Sequence, residues 1–316
     1  MLKKTGAVVF LFCLFLTGCE KESGAVAGRR VMPQEDALLV ATSIFPPYDF
    51  VRAIAGDRVK LTMLLPPGGE SHSFDPSPQD IILMQKADIF IYGGGESDAW
   101  VRELLTAMDT RNMRIIAMMD AVEAVEEEIV EGMQAEDEEE PAYDEHVWTS
   151  PRNAKLIMQA IADALCGSDP ANAGLYRQNA DAYLKSLEEL DKGFQEAVNA
   201  GVRKTIVFGD RFPFRYFADA YGLTYFAAFP GCSTETEPSA ATVAFLINKM
   251  RAEHIPAVFH IELSNEKMAD TISEETGAKK LLFHACHNIS KKDFEQGRTY
   301  MEFMTQNLTN LREALR

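Results

Sequence analysis

The sequence predicts an α/β fold of two lobes, with parallel sheets flanked by helices, joined by one long rigid helix. Short apolar runs alternate with helix-forming segments over residues 38–118, and the alternation returns over residues 205–283. Strands that alternate with helices pair in parallel. Between the two stretches Tyr183, Leu187, Leu190, Phe194 and Val198 recur at intervals of three and four, from an Asp169-Pro170 start to a stop at Gly201. About 28 residues at 1.5 Å each make a rod of roughly 40 Å, long enough to run along both lobes.

The elements follow in order. Residues 38–41 form a strand, followed by Pro46-Pro47 and a helix over 48–54. Residues 59–65 form a strand ended by Pro66-Pro67-Gly68-Gly69. Ser77-Pro78 opens a helix, with serine as cap and proline at the first position. Residues 89–92 make a strand closed by three glycines, 100–108 a helix and 115–118 a strand, and a helix starts near Pro151. Beyond the long helix come strands at 205–208, 224–228, 257–261 and 280–283, with helices at 214–221, 240–251 and 267–276 between them. Met301, Met304, Leu308, Leu311 and Leu315 give a final amphipathic helix. The expected division is therefore 1–18, 19–36, a first lobe 37–168, a connecting helix 169–201 and a second lobe 202–316.

The first two segments are an export signal and a tether. Lys3 and Lys4 precede an apolar run over 7–16 that is too short for a spanning helix. Leu16-Thr17-Gly18-Cys19 has the form of a bacterial lipobox, which implies cleavage before Cys19 and lipidation of its thiol. A soluble body held at the outer face of a membrane by lipid on Cys19 is expected.

Formal net charge is −17, but residues 123–145 hold twelve acidic side chains and no Lys or Arg, and removing those twelve leaves −5. This loop reads either as a solvated insert or as a collector of cations. No basic stripe is present, which argues against nucleic acid as a partner. Cys13 lies in the signal and Cys19 is the lipid site, leaving Cys166, Cys232 and Cys286. One Cys232–Cys286 bridge and three reduced thiols both remain open.

The six histidines carry the chemistry. His72 and His146 lie in loops that lead into helices, and His284 follows the strand at 280–283. Ligands of open α/β sheets bind outside the carboxyl ends of strands, and three neutral imidazoles with one oxygen complete a tetrahedral zinc site. His254 and His260 read as ordinary polar residues, His287 is ambiguous, and Glu262 is a candidate oxygen donor.

Four stretches, His72-Ser-Phe-Asp-Pro-Ser-Pro, Asp144-Glu-His146-Val-Trp-Thr-Ser-Pro, Tyr216-Phe-Ala-Asp-Ala-Tyr-Gly-Leu and Glu237-Pro-Ser, resemble the zinc/manganese solute-binding lipoproteins of bacterial ABC importers. The resemblance spans the chain from about Leu38 onward. It implies a monomer that captures a divalent metal between two lobes and delivers it to a membrane permease, with His72 and His146 at metal-binding positions. It also implies that His284 stands at the family's acidic ligand position and Arg211 at a histidine position. Arginine cannot ligate a metal, so Asp210 beside it is the expected substitute, with Glu262, His287 or water as alternatives and Cys286 as a possible thiolate. The implied set is His72, His146, His284 and Asp210. A nitrogen-rich set favours Zn2+, with Mn2+ second.

Two other readings stay open. A zinc hydrolase would need a general base, but the chain has no His-Glu-x-x-His helix, no Gly-x-Ser-x-Gly elbow and no phosphate loop. The same scaffold could instead hold haem, cobalamin or chelated iron in a cleft lined by Arg211, Phe212, Phe214 and Arg215.

Overall fold

Two four-stranded sheets, parallel throughout, carry the fold. The first holds β1 (Leu39–Thr42), β2 (Lys60–Met63), β3 (Ile89–Tyr92) and β4 (Arg114–Ala117), in the order β2-β1-β3-β4. The second holds β5 (Thr205–Phe212), β6 (Thr224–Pro230), β7 (Ala257–His260) and β8 (Lys279–Leu282), in the order β6-β5-β7-β8. The computed structural model describes residues 37–71, 73–133, 143–233 and 237–316, all within one compact unit. The export signal, Cys19, the tether, His72 and part of the acidic loop lie outside the described residues.

Helices on both faces explain why Val40, Ala41 and Thr42 of β1 and Ile89, Phe90 and Ile91 of β3 are all buried. In each sheet the first strand is flanked by its successors on opposite sides. The chain therefore diverges between β1 and β3 and again between β5 and β7, and crevices open at the carboxyl ends of such strands.

The first lobe carries α1 (Phe45–Ala55), α2 (Pro78–Gln85) and α3 (Ala99–Ala107). Pro46 and Pro47 lie inside the first turn of α1, not before it, because proline tolerates a position whose N–H has no helical partner. Ser77 and Asp80 close a reciprocal capping box on α2. α4 (Pro151–Ser168) then leads to α5 (Ala173–Ala200), a single helix of 28 residues. Its Tyr176, Ala180, Leu187, Leu190, Phe194, Ala197 and Val198 are buried at helical spacing. It packs on α1 and α4 of the first lobe and on α6 (Arg215–Tyr221) of the second. α7 (Ala240–Glu253), α8 (Lys267–Thr276), α9 (Lys291–Glu295) and α10 (Tyr300–Ala314) complete the chain. The short α9, capped by Ser290, has no apolar periodicity and is invisible to pattern reading.

β5 runs four residues past its expected end. Its register with β6 shifts between Phe208 and Arg211, a bulge that holds Gly209 and Asp210. Gly209 is obligatory there, since a Cβ would lie 2.7 Å from the Ala269 Cα of α8. The bulge carries Asp210 and Arg211 out to the carboxyl edge of the sheet.

Buried polar contacts lock the lobes together. Trp148 Nε1 donates to the Ala285 carbonyl at 2.8 Å, and the Tyr300 hydroxyl donates to the Trp148 carbonyl at 2.7 Å. The Tyr300 N–H donates to Asp49 at 2.7 Å. Among the described residues of the acidic loop, several dock against the body. Glu127 accepts the Cys232 N–H at 2.9 Å, Glu128 pairs with Arg215 at 2.9 Å, and Val125 and Val130 pack on the core. Among the described residues no helix is long and apolar enough to cross a membrane.

Tyr300→Phe removes one fully buried donor and leaves the Trp148 carbonyl unpaired. Chemical unfolding should register a loss of about 1–3 kcal/mol; an unchanged midpoint would mean that this contact does not hold the lobes.

Candidate metal centre

His146 is set by its own local turn. Asp144 Oδ1 accepts the His146 backbone N–H at 2.7 Å and lies 3.0 Å from its Nδ1. A carboxylate holding Nδ1–H fixes the tautomer and presents the Nε2 lone pair. Asp144 is in turn held through its carbonyl by the Tyr216 hydroxyl at 2.8 Å. Burial lowers the His146 pKa, but Asp144, and then Glu145 and Glu127, outweigh it and leave the pKa raised.

Glu145 is placed by the triple-glycine loop after β3. The Ser97 N–H donates to its Oε2 at 3.0 Å, and the Ser97 hydroxyl donates to Oε1. The side chain crosses Gly95, where a Cβ would sit 2.2 Å from the Glu145 Cβ. Neighbouring Asp98 accepts the N–H groups of Gly93 and Gly94 at 2.6 and 3.2 Å, and burial raises its pKa to about 6.

The second-lobe donor comes from the turn after β8. Cys286 adopts φ 60°, a left-handed conformation that costs a non-glycine residue roughly 1 kcal/mol. Glu262, just past β7, clamps this turn by accepting the N–H of Ala285 at 2.6 Å and of His287 at 3.0 Å. Asn288 Nδ2 ties it to the first lobe through the carbonyls of Pro66 and Gly69, at 3.0 and 2.7 Å. The His287 ring meets His146 edge to face at 5.1 Å and Trp148 at 5.0 Å.

Glu145, His146 and His287 thus converge, all buried, with one ligand atom from each within 4.8 Å of the others. Donors of a tetrahedral zinc site lie about 3.4 Å apart, so small torsional changes close the set. The adjoining cavity of about 160 Å³ is lined by His146, His287, Arg211, Glu70 and Ser71, among others.

The expected residues divide as follows. His146 is in the cluster. His72 lies outside the described residues, although Ser71 beside it lines the cavity. His284 is not brought to His146: its ring stacks on Phe303 at 3.9 Å, and its Nδ1 accepts the Cys286 N–H at 2.9 Å. That contact engages Nδ1 within the turn and not toward His146. His284 lines a separate cavity of about 380 Å³. Asp210 also turns away, accepting the N–H of Arg211 at 2.9 Å and of Ile261 at 3.2 Å, and it faces another cavity. Each Glu262 oxygen accepts a backbone N–H of the turn. Cys166, Cys232 and Cys286 are free, so Cys232 and Cys286 form no bridge. Burial pushes the Cys286 thiol up, away from the thiolate a metal requires.

Sequence reading missed Glu145 and left His287 undecided. The signal for Glu145 was its place between Asp144 and His146; for His287 it was only proximity to a strand end.

Residues 40–314 match the family described as zinc-uptake complex component A, periplasmic. The chain belongs to this family. It is 31% identical over 283 residues to the high-affinity zinc uptake system protein ZnuA of Bacillus subtilis, covering 89% of this chain and 88% of that protein. It is 29% identical over 317 residues to the zinc-binding lipoprotein AdcA of Streptococcus pneumoniae, covering 99% of this chain and 61% of AdcA. The chain thus spans about three-fifths of the length of that relative. Among solved structures, the metal-dependent lipoprotein YcdH of Bacillus subtilis superposes with a TM-score of 0.76 at 28% identity, covering 88% of this chain and 100% of that one. The Zn(II)-bound ZnuA-like domain of Streptococcus pneumoniae AdcA superposes with a TM-score of 0.73 at 28% identity, covering 88% and 99%. The family fold is the α/β pair of parallel sheets described above.

His284 supplies a pH test. Burial lowers its pKa below the ordinary 6.5, against a smaller opposing pull from Glu262. The folded state therefore favours the neutral ring. That contribution is complete above about pH 6.5 and is lost as pH falls through and below it, by at most about 1.4 kcal/mol per pH unit. Unfolding midpoints measured from about pH 7 to 5 should fall more steeply for the wild type than for His284→Asn. Parallel curves would contradict this.

Proposed function

We propose that the protein is the extracytoplasmic zinc-binding component of an ABC importer, which captures zinc between its lobes and passes it to a membrane permease. The observation that carries this reading is the buried meeting of His146 from the first lobe with His287 from the second, beside Glu145. Two imidazoles and a carboxylate are a zinc-type donor set, and manganese prefers more oxygen. His72 is the proposed further ligand, next in sequence to Ser71, which lines the cavity.

Several features suit capture and release of a cargo. Donors from two lobes bind tightly only when both are in place. The Trp148–Ala285 and Tyr300–Trp148 bonds and the unbroken α5 favour small local movements over wide closure. Neutral imidazoles are required for binding, so acid weakens it by protonation. The permease partner is supported by the family to which the chain belongs. Lipid on Cys19, supported by the lipobox-like sequence, would hold a monomeric body at the outer face of the membrane. The family's role in zinc uptake argues for a binding protein and against a hydrolase.

Competitive zinc titration tests the reading. One zinc per chain is expected, with affinity reduced at least about 100-fold, or roughly 2.7 kcal/mol, in His146→Ala and in His287→Ala. His284→Ala should stay within about threefold of the wild type. Affinity lost in His284→Ala and kept in His287→Ala would overturn the ligand assignment.

A further inference from the structure

The cavity beside the donors also holds a permanent cation. Arg211, at the bulged end of β5, lines the same cavity as His146 and His287, and its side chain is 16% exposed. Its Nη1 donates to the Ser233 carbonyl at 3.2 Å, and its Nη2 lies 3.4 Å from a Glu70 carboxylate that is half exposed. Such an exposed partner neutralises little, and a guanidinium has five N–H donors to satisfy.

A charge that cannot be titrated away raises the energy of a bare dication nearby. A small anion between the two reverses the sign of both interactions. The space is adequate: about 160 Å³, where a water molecule's share is about 30 Å³. The walls between the lobes include Gly68, Gly69 and Gly231, which contribute no side chains to fill it. Of the carboxylates lining this cavity, Glu262 already accepts two backbone N–H groups of the turn, and Glu70, half exposed, meets the guanidinium from one side only.

We propose that Arg211 is an anion-binding residue of the cleft, and that zinc is taken up together with a small carboxylate. One carboxylate oxygen joins the protein donors on the metal as an added ligand, zinc being able to expand to five-coordinate, and the other accepts from the guanidinium. The species carried is then a labile zinc carboxylate and not the naked ion. This inference rests on the zinc-binding reading above and deepens it. No covalent bond is made or broken, and the two ligands are coupled through one cavity, so each tightens the other by the same factor.

The test is zinc titration of the full chain in mild detergent at matched free zinc, with malonate or with perchlorate at equal ionic strength. Malonate should raise wild-type affinity at least about fivefold, and Arg211→Gln should show no gain. Arg211→Gln should also bind zinc in perchlorate at least as tightly as the wild type, because a repulsive charge is gone. Arg211→Lys, which keeps the charge but loses the fork, should retain only part of the gain. Cobalt(II) loaded in place of zinc should change its visible spectrum with malonate in the wild type only. Equal wild-type affinities in the two anions, or a full gain in Arg211→Gln with unaltered melting, would overturn the proposal. Absence of zinc binding by the wild type in either anion would instead overturn the zinc reading itself.

Discussion

The candidate centre depends on one tight turn. Cys286 in a left-handed conformation reverses the chain after β8, so that His284 and His287, three residues apart, face different cavities. A turn of this kind is strained, and Glu262 holds it with both oxygens on backbone N–H groups, while Asn288 ties it to the loop after β2. The Trp148 indole fastens the same turn through the Ala285 carbonyl. His287, the second-lobe member of the cluster, is therefore fixed by contacts from both lobes, and the position of one lobe against the other is written into its position.

The first-lobe donors are built with the same economy of movement. Asp144 grips His146 at two points, and Gly95 gives Glu145 room to pass. Each side chain of the cluster is thus held by hydrogen bonds of its neighbours, which orients it before any cation arrives. The long helix α5 supplies stiffness behind the site. Its buried face packs on both lobes, so hinge bending would have to disrupt one continuous core.

Much of the fold was legible because strand and helix periods recur in sequence. β3 matches its apolar run, and the Ser77-Pro78 start is realised as a full capping box. His146 was legible for a related reason, as a loop histidine preceding a proline-started helix. His287 was not, because a left-handed cysteine carries no sequence signal, and a strand end points naturally to the first histidine, His284. Asp210 is not brought to His146 for a comparable reason: the bulge in β5 turns it toward Ile261 and leaves Arg211 at the cavity wall. The docking of Glu127 and Glu128 was hidden because a run of acids in sequence looks the same whether solvated or paired with Arg215 and Cys232.

The central claim is that His146 and His287, and not His284, share one ion. Anomalous diffraction at the zinc edge from crystals of the zinc-loaded chain tests it most directly. The account requires a single strong peak about 2.0–2.1 Å from a nitrogen of each of His146 and His287. A peak bonded to His284 or Asp210, with His287 left unbound, would contradict it.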